Sequence, residues 1–366
     1  MGPEDEAWLK AAISLARRGE GGTRPNPPVG AVIVSKGRVV GRGWHRKAGG
    51  PHAEVSALRQ AEARAKGATV YVTLEPCSTW GRTGPCTQAL IEAGVGRVVF
   101  GVRDPNPKHQ GAGVRVLRRA GIIVTEGAAE REAGELIKPF AKRMATGLPH
   151  LTLKMAMSLD GRIAQADGKS RWVSGPGTRA VVMDLRRRVD AVMVGSATVV
   201  KDDPRLLPET AGMRPWRVIV DSRGSTPLSA RVLTDERAKD TVLATTSACP
   251  ASRVRRYEAL GARVWVLPGK AGKVALRPLM KRLGDEGALR VLCEGGGQLA
   301  ASVIEAGLAD EYLFFVAPKF LGALSLPVVG GGSWPLDSCP RLAFESIAMA
   351  GADVMLRAKP LAGRRG

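Results

Sequence analysis

The feature that most constrains this chain is one histidine followed by two cysteines at spacings that suit a metal ion. His52 stands two positions before Glu54, and Cys77 and Cys86 follow further along the chain. With only four histidines and five cysteines in 366 residues, the cluster uses scarce residue types. One imidazole and two thiolates leave the fourth position of a tetrahedral zinc ion open. The pattern therefore predicts zinc with one position free for a reacting molecule.

The neighbouring residues place these groups on regular elements. Residues 68–74 are β-branched and apolar, which predicts a buried strand with Cys77 just past its end. Cys86 falls in the first turn of a predicted short helix, where the helix dipole favours a thiolate. His52 and Glu54 open another predicted helix. The alternative is two buried structural cysteines beside an unrelated helix cap, and the combination of all four groups disfavours it.

A histidine, one residue, a glutamate and a later Pro-Cys followed by a second cysteine form the signature of zinc deaminases. Eight residues rather than the usual two separate the cysteines here, which narrows the family. Zinc lowers the pKa of a bound water, which can then attack a ring carbon that carries an exocyclic amine. Glu54 would carry the proton from this water to the ring nitrogen and the leaving ammonia, without binding the metal. Glu75 could orient a ligand or cap a turn, and the sequence leaves both roles open.

Length and composition indicate an intracellular protein of two domains. The chain has 366 residues, of which 44% are hydrophobic, and Thr146 to Pro149 punctuate a boundary. We therefore expect one domain over residues 1–146 and another over 150–361. No run of eighteen apolar residues and no signal sequence occurs, so no membrane association is expected. An odd number of cysteines without framework spacing agrees with a reducing cytoplasm.

The net charge of +21 and the sequence pI near 10.5 raise the possibility of a nucleic-acid partner. The basic residues, however, are spread along the chain, and aromatic residues make up only 4% of it. Stacking platforms between basic residues are therefore missing. We expect no nucleic acid as partner; the positive field would instead attract a phosphorylated substrate and cofactor.

Both halves alternate predicted strands and helices, which indicates mostly parallel sheets covered by helices. In the second half, residues 294–297 (E-G-G-G) lie between a predicted strand and helix, where backbone amides could bind a phosphate or simply turn. Residues 221–223 (D-S-R) follow another strand and could bind a sugar phosphate or form a polar turn. Residues 158–164 (S-L-D-G-R-I-A) predict a turn and an exposed loop.

Taken together, these motifs resemble the bifunctional riboflavin-biosynthesis enzymes of bacteria, in which a pyrimidine deaminase precedes a pyrimidine reductase. The resemblance covers nearly the whole chain. In the first half it rests on residues 26–30, 49–54, 71–78, 81–83 with Cys86, and 104–107. In the second half it rests on Lys154 with residues 158–162, 195–199 with 202–204, 220–222, and 294–296.

The resemblance implies an α/β fold with two domains: a cytidine-deaminase-like three-layer domain, then a dihydrofolate-reductase-like domain. The first would deaminate 2,5-diamino-6-ribosylamino-4(3H)-pyrimidinone 5′-phosphate, and the second would use NADPH to reduce the ribosyl group to ribityl. It also implies that His52, Cys77 and Cys86 bind Zn²⁺ and that Glu54 is catalytic. A homodimer is compatible with it. The pyrimidine and its ribosyl phosphate would be bound by Asn26, His45, Arg82, Asp104 and Asn106.

For the reductase, the resemblance implies three sets of residues around the hydride acceptor. Lys154 and Glu294 would be catalytic, polarising the ribosylamine where hydride arrives at C1′. The NADPH-binding positions would be Ala156, Trp172, Thr198, Asp202, Ser222, Gly296 and Gly297. The substrate-binding positions would be Ser170, Arg186, Leu206 and Glu294.

Two departures from the family pattern bear on the substrate loops. Thr79 and Trp80 stand where a second histidine or similar polar residue is usual. Glu209 stands where the reductase usually has a phosphate-binding arginine, a reversal of charge that would repel a phosphate. Arg205 or Arg214 could substitute for that arginine.

Two other functions remain open at this stage. The zinc site could act on a nucleoside or tRNA base, with a degenerate second half that only binds. A basic nucleic-acid-binding protein with a structural zinc is the other alternative. It would need a fourth ligand, and His45 is the only candidate nearby.

Overall fold

The computed structural model of the chain describes residues 2–81, 84–107, 109–209 and 214–361. These residues form two compact units, Met1–Leu148 and Pro149–Gly366. The division falls within residues 146–149, the segment with Gly and Pro that predicts a domain boundary. Across the described ranges, no helix combines the length and apolar character needed to cross a membrane.

The first unit alternates helices and strands, as the α/β class requires. Short 3₁₀ turns at Arg17–Gly19 and Glu62–Ala65 extend the first two helices. The helices are α1 (Pro3–Ala16), α2 (Ala53–Ala61), α3 (Cys86–Glu92), α4 (Ala112–Arg119) and α5 (Glu130–Thr146). The strands are β1 (Gly30–Ser35), β2 (Arg38–Trp44), β3 (Thr69–Leu74), β4 (Arg97–Val102) and β5 (Ile123–Glu126).

These strands form one sheet in the order β2-β1-β3-β4-β5. β1 runs antiparallel to both of its neighbours, whereas β3, β4 and β5 are mutually parallel. Every strand of this sheet except β1 runs in the same direction, as expected for a mostly parallel sheet. Because β1 has two neighbours, however, two of the four strand pairings are antiparallel. The hairpin of β1 and β2 causes this difference, because a tight turn between strands forces them to run in opposite directions.

Strand alternation explains why this sheet is covered on both faces. Ala31 and Ile33 of β1 join one core with α2, α3 and α4, whereas Val32 and Val34 join a second core with α1 and α5. Successive strand side chains point to opposite faces, so a continuously apolar strand must be buried on both. The first unit is therefore a three-layer sandwich, as predicted.

The second unit contains six helices and thirteen strands among its described residues, several of them very short. A 3₁₀ turn lies at Ala238–Asp240. The helices are α6 (Pro176–Arg188), α7 (Ser196–Asp202), α8 (Arg231–Thr234), α9 (Ala251–Ala259), α10 (Leu276–Asp285) and α11 (Gly297–Glu305). The strands are β6 (His150–Ser158), β7 (Arg162–Ala164), β8 (Ala191–Gly195), β9 (Trp216–Val220), β10 (Thr241–Thr245), β11 (Arg263–Val266), β12 (Gly269–Lys270), β13 (Lys273–Val274), β14 (Arg290–Cys293), β15 (Glu311–Ala317), β16 (Leu326–Pro327), β17 (Leu342–Ala350) and β18 (Asp353–Pro360).

Nine of these strands form a sheet in the order β11-β10-β9-β8-β14-β6-β15-β18-β17. The strands from β11 to β15 pair in parallel, and β18 and β17 add an antiparallel hairpin at one edge. The sequence pattern does not predict this hairpin. Residues 158–164 also differ from the predicted exposed loop, because Ser158 is buried at the end of β6 and β7 pairs with β16.

A buried ion pair joins β9 to the segment after α8. The Arg217 side chain is fully buried, and its guanidinium donates two hydrogen bonds to the Asp235 carboxylate, at 2.7 and 2.9 Å. It also donates to the backbone oxygen of Val232 at 2.9 Å. Removing one partner of such a pair leaves an uncompensated buried charge, which costs much more than losing a surface pair.

We therefore expect Asp235→Ala to lower the free energy of unfolding by about 3 kcal/mol, measured by urea denaturation. The neighbouring Glu236 provides a control, because it pairs with Arg205 while 72% of its side chain is exposed. Glu236→Ala should change the stability by less than about 0.5 kcal/mol. Equal effects of the two substitutions would contradict a special role for the buried pair.

Candidate active sites

The imidazole and two thiols predicted to bind zinc meet in the first unit. The His52 Nδ1 atom lies 3.1 Å from Cys86 Sγ and 3.5 Å from Cys77 Sγ. All three ligand atoms lie within 4.8 Å of one another. One nitrogen and two sulfur ligands at this separation fit zinc, and the set leaves a fourth position open.

Three elements bring these ligands together. Cys77 follows β3, His52 is the N-cap residue of α2, and Cys86 is the first residue of α3. The backbone N–H of Cys86 donates to Cys77 Sγ at 3.3 Å, so the start of α3 contacts the sulfur of the strand-end residue. Hydrogen bonds from the Cys86 thiol and His52 lower the pKa of Cys77 to about 4, and the hydrogen bond to Cys77, with burial, raises that of Cys86.

Glu54 lies in the first turn of α2, beside the three ligands. Only 3% of the residue is exposed. Burial, reinforced by the negative charge at Cys77, raises the pKa of its carboxyl group to about 7. A carboxyl group with a pKa near neutrality exchanges protons readily, as a general acid and base must.

A cavity of about 450 Å³ opens onto this cluster. That volume suits a small-molecule ligand. Every predicted residue of the deaminase site that the structure describes lines it except Cys86, which is buried behind the cavity wall. The predicted substrate residue Arg82 lies outside the described residues. The predicted lining residues are Asn26, His45, His52, Glu54, Cys77, Asp104 and Asn106.

His45 lines the cavity and is held in place by two hydrogen bonds. Its Nδ1 lies 3.1 Å from the backbone oxygen of Pro51, and its Nε2 lies 3.1 Å from the side-chain amide nitrogen of Asn26. Burial lowers the pKa of its imidazole. Both ring nitrogens are thus already engaged by other groups, and His45 is not part of the metal cluster found among the described residues. This geometry disfavours a structural zinc with His45 as fourth ligand.

Glu75, whose role the sequence left open, organises the loop between β4 and α4. Its buried carboxylate accepts hydrogen bonds from four backbone N–H groups at the two ends of that loop. The donors are Asp104 (3.3 Å), Gly111 (2.9 Å), Gly113 (3.1 Å) and Val114 (3.4 Å). Glu75 therefore anchors the loop that carries Asp104 and Asn106 to the cavity.

Some lining residues were not anticipated from the sequence. They come from the loop before α4 and from the last turns of α5. Local sequence gave no signal for them, since α5 reads as an ordinary amphipathic helix. The residues are His109, Phe140, Arg143 and Met144, and the substrate-loop residue Thr79 also lines the cavity.

In the second unit, the predicted catalytic residues lie side by side on the sheet. Cys293 of β14 pairs with Leu153 of β6, so Glu294 and Lys154 occupy the next positions of adjacent strands. Burial lowers the pKa of Lys154, against the opposing effect of the Glu294 charge. The ammonium group also lies 5.9 Å from the centre of the Phe315 ring.

Arg186 of α6 binds the Glu294 carboxylate with two hydrogen bonds, at 2.6 and 2.9 Å. Burial alone would raise the pKa of Glu294, but Arg186 outweighs it and holds the pKa below its usual value. The predicted catalytic carboxylate and the predicted substrate-binding arginine are thus partners of each other. Lys154 remains the charged group of this cluster that is not tied into the pair.

The predicted glycine turn lies between β14 and α11. Gly296 has φ +57°, and a Cβ atom there would lie 3.4 Å from Thr198 Oγ1. A Cβ on Gly297 would instead lie 2.6 Å from the backbone oxygen of Pro327, so Gly297 allows two backbone segments to pack closely. Gly296 and the Thr198 hydroxyl therefore lie close together at the start of α11.

The other predicted cofactor and substrate positions divide into two groups. Ser170 donates a hydrogen bond to Asp202 at 2.7 Å, and Trp172 is exposed with the Arg179 guanidinium 4.6 Å from its ring centre. Ala156 shares the Lys154 face of β6 by strand alternation. Trp172 is exposed, whereas the other three positions are half-buried.

Ser222 and Leu206 have structural contacts that the sequence did not reveal. The Ser222 hydroxyl accepts the backbone N–H of Val274 at 3.0 Å, which fastens β13 to the end of β9. Leu206 is 1% exposed and packs in a hydrophobic core, so its side chain cannot contact a substrate there. Only its backbone remains available for the predicted role.

Glu209, the residue of reversed charge, lies on the surface. Neither proposed substitute has an obvious link to the Lys154 cluster. Arg205 pairs with Glu236 at 3.3 Å, and Arg214 is exposed.

Comparison with known proteins supports the predictions made for both halves of the chain. Residues 3–102 match the family described as "Cytidine and deoxycytidylate deaminase zinc-binding region", and residues 149–356 match the "RibD C-terminal domain". The riboflavin biosynthesis protein RibD of Bacillus amyloliquefaciens is 40% identical over 99% of this chain and 98% of its own. RibD of Escherichia coli (strain K12) is 41% identical over 96% and 98%.

Solved structures give the same result. RibD of Acinetobacter baumannii superposes with a TM-score of 0.88 at 38% identity, covering 98% of this chain and 99% of its own. A diaminohydroxyphosphoribosylaminopyrimidine deaminase/5-amino-6-(5-phosphoribosylamino)uracil reductase of Thermotoga maritima has a TM-score of 0.86 at 33% identity, with the same coverage.

These relatives match both units over nearly their full length. They confirm the predicted deaminase and reductase activities of riboflavin biosynthesis, and the predicted cofactors, zinc and NADPH, agree with them. A deaminase of nucleosides or tRNA bases joined to a degenerate second half is not supported. From its zinc-ligand cluster to its reductase sheet, this chain belongs to the RibD family.

Proposed function

We propose that the two RibD reactions take place at separate sites of this chain. Deamination would occur in the cavity of the first unit, and reduction beside Lys154 in the second. The observation that carries the proposal is the convergence of His52, Cys77 and Cys86 next to Glu54 in a cavity of about 450 Å³. All five cysteines are free thiols, which supports our further proposal of a reducing cytoplasm as the site of action.

At the deaminase site, zinc would be held by His52, Cys77 and Cys86 and would supply a Lewis acid that lowers the pKa of water. Glu54 would accept the first proton of that water and pass it to the ring nitrogen, and would then carry the second proton, from the new hydroxyl group on the ring carbon, to the amino group that departs as ammonia. Its raised pKa suits both transfers. The hydrogen bond from Asn26 to His45 would turn the amide oxygen of Asn26 toward the pyrimidine.

Glu54→Gln should lower the rate of ammonia release by about 1000-fold, because the amide cannot accept or return the proton. Bound zinc, measured by elemental analysis, should stay at the level of the parent protein. Glu62→Gln, an exposed glutamate just after α2, is the matched control and should be fully active. A Glu54→Gln variant with more than about a tenth of the parental activity would refute the proton-transfer role.

At the reductase site, bound NADPH would supply hydride to C1′ of the ribosyl group, whose C1′–O4′ bond breaks while O4′ takes up a proton. Lys154 would donate a hydrogen bond or proton to the ribosylamine, and burial, which lowers its pKa, makes that proton easier to give. The bidentate pair between Arg186 and Glu294 would hold the carboxylate in one orientation beside Lys154. Thr198 and the amides near Gly296 would bind a phosphate of the cofactor.

Lys154→Met should lower kcat for NADPH oxidation by about 100-fold while leaving ammonia release unchanged. Methionine keeps much of the apolar stem but loses the proton and the charge. Lys281→Met serves as the control, because Lys281 is an exposed residue of α10. The two activities are followed separately, with the deaminated intermediate supplied to the reductase. NADPH oxidation at the parental rate would exclude Lys154 from the chemistry.

We further propose that the chain forms a homodimer through β17, the edge strand of the nine-stranded sheet. Because of a bulge between Phe344 and Ser346, the side chains of Phe344, Ile347 and Met349 share one face of this strand. All three are more than 60% exposed. A long apolar edge strand is a surface that proteins normally cover or protect.

Ile347→Lys should weaken this association by about 100-fold, because two like charges would face each other across a two-fold axis. Molar mass measured by light scattering over a range of concentrations tests this. Leu324→Lys changes an exposed apolar residue outside β17 and should leave the mass unaltered. A parent protein that is monomeric throughout would contradict the proposed dimer.

A further inference from the structure

Three of the four histidines in the chain line one cavity. His52 belongs to the metal cluster, and His45 supports the cavity wall. The third, His109, has no part in the deamination steps described above. It lies half-buried in the loop between β4 and α4, and its Nδ1 atom is 3.4 Å from the hydroxyl oxygen of Thr79.

The contact between His109 and Thr79 joins two loops that both line the cavity. Thr79 follows Cys77 in the loop after β3, whereas His109 shares its loop with Asp104 and Asn106. Because Nδ1 faces Thr79, the Nε2 atom lies on the opposite edge of the imidazole ring. A histidine held in this way presents one ring nitrogen to a ligand in the cavity.

The position of His109 along the cavity indicates which part of a substrate it would meet. Glu54 and Cys86 mark the buried end, where the amine must react. His109 is more exposed and marks the solvent side, where a phosphate loses less hydration. Among the described residues that line the cavity, the basic side chains are the three histidines and Arg143. The nearby Asp104 carboxylate accepts the backbone N–H of Asn106 at 2.8 Å.

We propose that His109 is a substrate-specificity residue of the deaminase, whose Nε2–H donates a hydrogen bond to the 5′-phosphate of the ribosylaminopyrimidine. This inference rests on the proposed deaminase function. Thr79 is a positioning residue in this arrangement, since it acts only by holding the ring of His109. A hydrogen bond to a charged phosphate is among the stronger ones that proteins form.

The test compares ammonia release from the 5′-phosphorylated substrate and from its dephosphorylated form, using the full-length zinc-loaded protein. His109→Val should raise KM for the phosphorylated substrate by about tenfold and leave KM for the dephosphorylated one unchanged. His109→Gln keeps an N–H donor and should recover part of the loss. Thr79→Val keeps the imidazole but frees it, so a smaller rise of about threefold is expected.

Bound zinc and NADPH oxidation serve as internal controls and should not change in any of these variants. An unchanged KM for His109→Val overturns the inference, and so does an equal rise with both substrates. If the parent protein releases no ammonia from either substrate, the proposed deaminase function itself fails. If the parent is active and the His109→Val variant has the same KM values, only the role of His109 fails.

Discussion

Two helix N-termini meet at the carboxyl end of one strand, and the deaminase unit depends on this convergence. β3 delivers Cys77, α2 begins after His52, and α3 begins at Cys86. The backbone N–H at the start of α3 contacts Cys77 Sγ and favours its thiolate even before a metal binds, whereas the hydrogen bond to Cys77 and burial raise the pKa of Cys86. Glu54 reaches the same point from the first turn of α2. The remaining loops of the unit complete a cavity around a cluster that these elements define.

In the reductase unit, buried charges are stabilised by an ion pair rather than by a metal. Arg186 and Glu294 satisfy each other within the protein, and both side chains are almost fully buried. A buried carboxylate without such a partner would be protonated or would destabilise the fold. The pair leaves Lys154 as the local positive charge, on a strand directly beside Glu294. An anionic cofactor and a phosphorylated substrate both favour that sign of charge.

The sequence was informative where the signal was local. The zinc ligands and Glu54 are scarce residue types at short spacings, and most strands and helices of both units follow apolar runs or periodicity. Residues that reach a site only through tertiary packing gave no such signal, as His109 and Arg143 illustrate. The role of Glu75 could not be decided, because most of its partners lie in a loop and helix far along the chain. The β17–β18 hairpin was missed because most side chains of β17 are exposed rather than packed against a core.

The carboxylate of Glu75 has a consequence for how tightly the deaminase binds its substrate. A loop left free in solution must give up many conformations when a ligand orders it, and that loss weakens affinity. Here four hydrogen bonds at the loop ends restrict Asp104 and Asn106 as the chain folds. The conformational entropy is therefore lost during folding rather than at each catalytic cycle. Glu75 takes no part in the reaction, yet it reduces the conformational entropy that the loop loses each time a substrate binds.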